Sequence, residues 1–458
     1  MRYARILIII TAALLFASIA ASMEEGSGTG DGPSYTIDFL WIALILIIAK
    51  LSSLVEKWGQ PAVLGELIVG VILGNLTMLG INALAPIGTD PIILFLSELG
   101  VIILLFQIGL ESNIEEMKKV GVPSMLVAIV GVIVPFVLGT VIIGPWLLPG
   151  LSQNAYLFLG ATLTATSVGI TARVFKDLGK LHTKEARIVL GAAVIDDVFG
   201  LVILAVVSAI VTAGSVSALS VGIITLKALV FLIGSIMIGQ KIASPIGKWL
   251  SEVHTGVGMK FALAASFCFI FAYFAQIIGL APIVGAFAAG LIMKPVHFTY
   301  FIEPEVVTDI KEHIKNHHDQ QAVDRVIQKH SHKHVEDLIA PLGLLFVPIF
   351  FVLTGFTVNL ATLFDVKILL IALGITIAAV IGKVVAGYAV KGVDRKIVGW
   401  GMVPRGEVGL IFATIGKGLG VVSDQVYSVI VIVVILTTLM TPPILSFLIK
   451  RMKTEAPA

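Results

Sequence analysis

Long apolar stretches alternate with short polar or glycine-rich connections along most of the chain. From Ile37 onward thirteen such stretches follow one another, and a helix needs ~20 apolar residues to cross a bilayer. Their approximate bounds are residues 37–55, 61–80, 91–111, 121–147, 154–178, 186–212, 218–245, 257–280, 281–294, 338–360, 366–390, 395–417 and 423–449. The pattern predicts an all-α polytopic membrane protein, with 13 transmembrane helices inside a domain of residues 37–450.

The composition agrees with a chain that lies in lipid. Apolar residues make up 57% of the 458 positions, charged residues only 13%, and the mean hydropathy is +1.04. So little charge could not cover the surface of a water-soluble domain of this size. A single cysteine, Cys268, excludes a disulfide framework within the chain and a cysteine-based metal site.

The N-terminus has the pattern of an export signal. Residues 1–22 combine a basic start, an apolar core from Ile6 to Ile19 and small residues at the position of a cleavage site, which predicts a signal peptide. The alternative is that this segment is an extra helix that is not cleaved. Residues 23–36 are acidic and rich in glycine, which predicts an extracytoplasmic tail.

Among the connections between the stretches, only alternate ones carry lysine or arginine. The even-numbered connections contain neither residue. The odd-numbered ones contain Lys57, Lys118 and Lys119, Arg173 to Arg187, Lys248 and Lys260, Lys391 to Lys396, and Lys450 to Lys453. The positive-inside rule then predicts that the N-terminus is external and that the C-terminus, with the tail 451–458, is cytoplasmic. The membrane itself is expected to be the cell membrane.

Two adjacent acids and one base lie deep inside apolar stretches. Asp196 and Asp197 lie in GAAVIDDVFG and Lys383 lies in VIGKVV. Counted from the nearest cytoplasmic cations, all three are about 12–14 Å into the membrane. Each costs ~2.5–3.5 kcal/mol there, so a buried ion pair is predicted, in which one aspartate faces Lys383 and the other faces a cavity. A purely structural salt bridge is the alternative, although it needs only one acid and stabilises weakly.

The fifth and twelfth stretches contain residues that interrupt a helix. The fifth carries Thr164, Thr166 and Ser167, and the twelfth carries Pro404, Arg405, Gly406 and Glu407. Unwound backbone at membrane depth is tolerated only where it is buried in protein or lines a cavity. If stretches 4–6 and 11–13 are repeats, the two interruptions are equivalent and inverted, which points to a substrate site there.

At these residues the sequence resembles the bacterial and archaeal cation/proton antiporters of the second monovalent-cation/proton antiporter family. The resembling runs cover residues 37–450 and read PAVLGELIVGVILGN, SELGVIILLFQIGLE, LTATSVGITARVF, GAAVIDDVFG, APIVGAFAAGLIM, FVPIFFVLTGFTVNL and PRGEVGLIF. The resemblance implies inverted repeats with two crossing, partly unwound helices. It also implies a core (about 121–212 and 366–449) and a dimerisation scaffold (about 37–111 and 257–360) in a homodimer.

The resemblance also implies roles for individual residues. Asp197 would be the main carboxylate for cation and proton, with Thr166 and Ser167 beside it. Asp196 would pair with Lys383, and Thr164, Pro404, Arg405 and Glu407 would support the broken helices. Two adjacent acids are similar to the electrogenic sodium-type branch, which implies exchange of sodium or lithium for protons and no cofactor.

A cytoplasmic insertion at residues 295–335 departs from the family pattern. It contains His313, His317, His318, His330, His332 and His334. A solvated helix with incidental histidines, a pH sensor and a metal site are all open interpretations of this segment.

Two other functions compete with sodium/proton antiport. A potassium/proton antiporter would have the same fold, and a cation-sensing regulator would use the histidine-rich insertion as its working part. An enzyme is not expected, because no nucleophile elbow, Walker loop or metalloprotease motif occurs, and no nucleic-acid partner is expected.

Overall fold

The computed structural model describes residues 36–58, 60–111, 121–181, 183–213, 218–293, 301, 333–358 and 365–451. Within these ranges the regular structure is entirely helical, which confirms the predicted all-α class. The predicted signal peptide lies outside the described residues, as do the tail up to residue 35, residues 452–458 and most of the insertion 295–335.

The helices follow the order of the predicted apolar stretches. The first half of the chain contains α1 (Thr36–Ser52), α2 (Ala62–Gly74), α3 (Pro91–Glu111), α4 (Gly121–Val137), α5a (Gln153–Thr164), α5b (Val168–Asp177) and α6 (Lys184–Ala213). A 3-10 turn, Ser53–Trp58, extends α1, and a π turn, Leu138–Ile142, leads from α4 into the short helix Ile143–Leu147.

The second half begins with α7 (Ala218–Val253), α8 (Val257–Ile277), α9 (Pro282–Ile292) and α10 (Lys333–Phe356). It continues with α11 (Val366–Val384), α12a (Arg395–Gly401), α12b (Glu407–Gly418) and α13 (Asp424–Lys450). A 3-10 turn, Val385–Ala389, extends α11.

Nine helices in the described part of the chain are long and apolar enough to cross a membrane. The other four predicted stretches contain the short helices α2 and α9 and the helix pairs α5a/α5b and α12a/α12b. Each predicted stretch therefore contains helix, whereas the number of 13 crossings stays a prediction.

The helix α7 reaches Val253 and includes Pro245, where the predicted span ends. Lysine, tryptophan and glutamate after that proline form helix well enough to continue it.

The described residues form two compact units. The first comprises those within Met1–Glu98, Glu115–Ser220 and Pro348–Ala458, and the second comprises those within Leu99–Ile114 and Val221–Val347. Both predicted core segments, 121–212 and 366–449, fall in the first unit. The division into core and dimerisation scaffold stays a prediction.

Small residues allow the helices of the first unit to pack closely. A Cβ atom on Gly139, in the π turn, would lie only 2.8 Å from the Cα atom of Gly160 on α5a. Fully buried alanines of α4 and α6, including Ala128, Ala192 and Ala193, pack in one cluster with Val398 of α12a. Close helix packing of this kind is typical of membrane interiors, where small residues let backbones approach. It holds α4, α5a, α6 and α12a around one region of the membrane interior.

Candidate functional site

A buried ion pair joins the middle of α6 to the last turn of α11. The Nζ atom of Lys383 lies 2.8 Å from Oδ1 of Asp196, and neither side chain is exposed to solvent. A buried charge is tolerated only when it is paired and hydrogen-bonded. The structure thus brings together two residues that lie 187 positions apart in the chain.

Asp197, the neighbouring acid, is in a different environment. Adjacent residues of a helix project about 100° apart, so the two carboxylates cannot face the same partner in the same way. The Asp197 residue keeps 8% of its surface exposed, against 1% for Asp196. It still interacts electrostatically with the ammonium group of Lys383. Of the two acids, Asp197 is therefore the one that a cation can reach with less desolvation.

Both predicted interruptions are present as unwound linkers. Residues 165–167 separate α5a from α5b, and residues 402–406 separate α12a from α12b. In the first linker, Ala165 has an extended backbone conformation (φ −58°, ψ 140°) that ends α5a. In the second linker, Pro404 cannot donate a backbone hydrogen bond, which favours unwinding. The hydroxyl of Thr164 donates to its own helix, at the Ala161 carbonyl, over 2.7 Å.

The two linkers cross and bond to each other. The amide of Ser167 donates to the Pro404 carbonyl over 2.8 Å. The hydroxyl of Thr166 donates to the Met402 carbonyl over 3.3 Å. At Gly406, a Cβ atom would lie 2.6 Å from the Cβ atom of Ser167, so the crossing needs a glycine there. These contacts satisfy backbone groups that a continuous helix would have paired.

In each linker, the C-terminal end of one half-helix is followed by the N-terminal end of the next. The α5a and α12a helices end at the linkers, and their last carbonyl groups give a negative end. The α5b and α12b helices begin there, and their first amide groups give a positive end. Carbonyl ends of half-helices can stabilise a small cation, and amide ends can stabilise an anionic group.

Arg405 is a second buried cation at the crossing. Its Nη1 atom donates to the Ala165 carbonyl over 2.9 Å, and its Nη2 atom donates to the Ala379 carbonyl over 3.2 Å. Only 1% of the residue is exposed, and its charge acts on Asp196. One guanidinium group therefore connects the first linker, the second linker and the helix that carries Lys383.

The formal charges of this cluster cancel when all four groups are ionised. Asp196 and Asp197 carry the negative charges, and Lys383 and Arg405 carry the positive charges. Adding a sodium ion or a proton creates one net positive charge in a buried place. Adding both creates two, which is much more costly in a low-dielectric interior. Each added positive charge therefore has a cost that the charges already present do not offset.

Two residues of this site were not predicted from the sequence. The Arg405 amide donates to Oγ1 of Thr437 over 3.4 Å, and the hydroxyl of Thr438 donates to the Arg405 carbonyl over 2.5 Å. Both threonines belong to α13, and their only sequence signal is the hydroxyl cluster TTLMT in an otherwise apolar stretch. The hydroxyl of Thr171, which lies in the fifth, interrupted stretch, donates to the Gly401 carbonyl over 2.7 Å.

Some predicted residues have no described side chain. Glu407 begins α12b, but its side chain lies outside the described residues. The backbone of His334 belongs to α10, and its side chain also lies outside them. The other five histidines of the insertion are not described at all: His313, His317, His318, His330 and His332.

Known proteins resemble this chain over most of its length. It is 34% identical over 453 residues to the high-affinity Na⁺/H⁺ antiporter NhaS3 of Synechocystis sp., covering 91% of this chain and 90% of the relative. It is 36% identical over 416 residues to the Na⁺/H⁺-K⁺ antiporter GerN of Bacillus cereus, covering 89% and 95%.

A solved structure has the same fold. The sodium proton antiporter MjNhaP1 of Methanocaldococcus jannaschii aligns with a TM-score of 0.61 at 18% identity, over 89% of this chain and 97% of that chain. The family described as "Sodium/hydrogen exchanger, transmembrane" matches residues 42–451, which include both linkers and all four charged residues of the site. The chain therefore belongs to the transmembrane sodium/hydrogen exchanger family.

Proposed function

We propose that the protein is a secondary active antiporter that exchanges cytoplasmic sodium or lithium for external protons. The observation that carries the proposal is the fully buried Asp196–Lys383 pair, with Asp197 beside it, where two unwound helices cross. The names of its relatives support the same activity, since NhaS3 is named as a Na⁺/H⁺ antiporter at 34% identity.

Competition at Asp197 would couple the two ions. A carboxylate with little contact to water binds either a proton or a sodium ion, because each restores neutrality to the same group. Thr166 and Ser167 sit in the adjacent linker and would contribute oxygen ligands, which suit a hard cation. Sodium arriving from the cytoplasm would displace the proton, and external protons would later displace the sodium.

Lys383 would make the exchange electrogenic. When sodium binds at Asp197, the balance of charge around Lys383 changes, and the Asp196–Lys383 pair loosens. A proton released from the ammonium group would then move in addition to the one from Asp197. Alternating access of the crossing region would carry the cation across, in a homodimer whose N-terminus is external and whose C-terminus is cytoplasmic.

Transport by the purified full chain in proteoliposomes tests this function. A sodium pulse outside vesicles that hold a pH-sensitive dye should move protons, and a voltage-sensitive dye should report net charge. Asp197→Asn should abolish the response. Asp365→Asn is the matched control, because Asp365 is exposed and only caps α11 through the Lys367 amide, which asparagine also does. Full exchange by Asp197→Asn would show that the carboxylate is not the carrier.

A potassium/proton antiporter is the second candidate. The relative GerN is named as a Na⁺/H⁺-K⁺ antiporter at 36% identity. The same vesicles decide between the two, since potassium, sodium and lithium can be pulsed separately at equal ionic strength. Proton movement with potassium but not with sodium would replace the sodium assignment and leave the site assignment intact.

A further inference from the structure

Two adjacent threonines of α13 hold both backbone polar groups of one linker residue. Thr437 Oγ1 accepts the Arg405 amide over 3.4 Å, and Thr438 Oγ1 donates to the Arg405 carbonyl over 2.5 Å. Both threonines are at least 97% buried, with exposed fractions of 0% and 3%. Bulk solvent therefore does not compete for either bond, and α13 holds the Arg405 backbone in position.

Of the two, Thr438 differs from the usual behaviour of threonine in a membrane helix, whereas Thr437 donates its own hydroxyl to the Val433 carbonyl over 2.8 Å. A buried threonine normally donates to a carbonyl one turn earlier in its own helix. Thr376 does so on α11, at the Ala372 carbonyl, over 2.7 Å. Thr438 instead donates to a different segment, 33 residues away. Its hydroxyl therefore connects two elements of the fold, whereas that of Thr376 belongs to a single helix.

The position of the Arg405 backbone determines where its charge lies. From that backbone the guanidinium reaches the carbonyls of Ala165 and Ala379. Ala379 lies four residues before Lys383, so its carbonyl is the one that the α-helical pattern pairs with the Lys383 amide. A continuous set of contacts thus runs from Thr438 through Arg405 to the helix that presents Lys383 to Asp196.

We propose that Thr438, assisted by Thr437, is a positioning residue for ion exchange. It holds the Arg405 carbonyl and thereby keeps the guanidinium charge at a fixed distance from Asp196 and Lys383. Without the hydroxyl, a buried carbonyl loses its donor, and the linker backbone rotates to find another. The guanidinium then shifts, and the electrostatic balance between proton and cation at the acids changes. This inference rests on the proposed antiport function.

The test compares Thr438→Val, Thr438→Ser and Thr376→Val in sodium-driven proteoliposome transport. Valine has the shape of threonine but no donor, so Thr438→Val should raise the KM for sodium about tenfold, equivalent to ~1.4 kcal/mol, and shift the pH profile. Thr438→Ser keeps the hydroxyl and should restore both. Thr376→Val removes an equally buried hydroxyl and should leave the KM and the pH profile unchanged. Wild-type values in Thr438→Val, or equal effects in Thr438→Val and Thr376→Val, would overturn the proposal.

A second comparison asks whether Thr438 acts through Arg405. In an Arg405→Lys background, Thr438→Val should cause no further change in KM, because the positioned group is already altered. A full additional tenfold increase would show that Thr438 acts elsewhere. If Thr438→Val does not fold, Thr438→Cys replaces it in the test. The thiol is a weaker hydrogen-bond donor than the hydroxyl, so this variant should have a raised KM for sodium and an unchanged melting temperature. A wild-type KM in Thr438→Cys would refute the proposal. Exchange by the wild-type chain tests the proposed function separately from these variants.

Discussion

Asp196→Asn should destabilise the protein far more than the loss of a surface charge would. Asparagine has nearly the same shape as aspartate, so no cavity forms. The variant leaves the Lys383 ammonium without the carboxylate that lies 2.8 Å away, in a place with no solvent exposure. Removing one partner of a buried ion pair costs ~3–5 kcal/mol, because the remaining charge stays buried without compensation.

The chain contains a matched control for this experiment. Lys417 and Asp424 form an ion pair of the same length, 2.8 Å, but their side chains are 29% and 74% exposed. Exposed pairs contribute ~0–1 kcal/mol, since water screens and solvates both partners. Asp424→Asn should therefore lower the free energy of unfolding by less than about 1 kcal/mol. The comparison changes burial while the chemistry and the distance stay the same.

A double substitution completes the thermodynamic cycle. Lys383→Met removes the charge and keeps an unbranched apolar side chain, so Asp196→Asn/Lys383→Met should recover most of the lost stability. Unfolding of the purified protein in mixed micelles, followed by circular dichroism at several denaturant concentrations, gives the required free energies. Equal losses for Asp196→Asn and Asp424→Asn would refute the reasoning, as would a double variant that is no more stable than Asp196→Asn alone.

Two further substitutions test the linker crossing. Arg405→Lys should lower the free energy of unfolding by about 1.5–3 kcal/mol in the same assay, since lysine cannot reach both carbonyls as the planar guanidinium does. A wild-type free energy of unfolding would contradict that role of Arg405. Gly406→Ala should reduce proton movement in proteoliposomes by at least about tenfold, because its Cβ atom would lie 2.6 Å from that of Ser167. Gly234→Ala is the control, as nothing lies within 4 Å of its added Cβ atom, and equal activity in the two alanine variants would disprove the steric argument.

Local sequence features predicted where the site lies in the chain. Pro404 and the hydroxyl-rich run around Thr166 marked the two interruptions, because proline and glycine weaken a helix wherever they occur. Depth from the cytoplasmic cations matched Lys383 to one of the two aspartates, since a buried charge needs an opposite charge at the same level, and the resemblance selected Asp196. The resemblance to antiporters added the unequal roles of the two acids, and those roles stay predictions.

The contacts of Arg405 could not be predicted in the same way. Its guanidinium binds backbone carbonyls of Ala165 and Ala379, and every residue of the chain carries such a carbonyl. No residue type therefore identifies the acceptor. The partners of Thr438 were hidden for the same reason, because a threonine in an apolar helix most often bonds to its own backbone.

The sequence by itself determined that the chain lies in a membrane, that its regular structure is helical, and which buried charges need an explanation. These properties depend on hydropathy and on residue type, which are local. Only the tertiary structure decided that Ser167 bonds to Pro404 between the two linkers, and that α13 holds the Arg405 backbone. Those facts depend on which backbone groups meet after helices distant in the chain have packed, and the packing of the whole unit determines this.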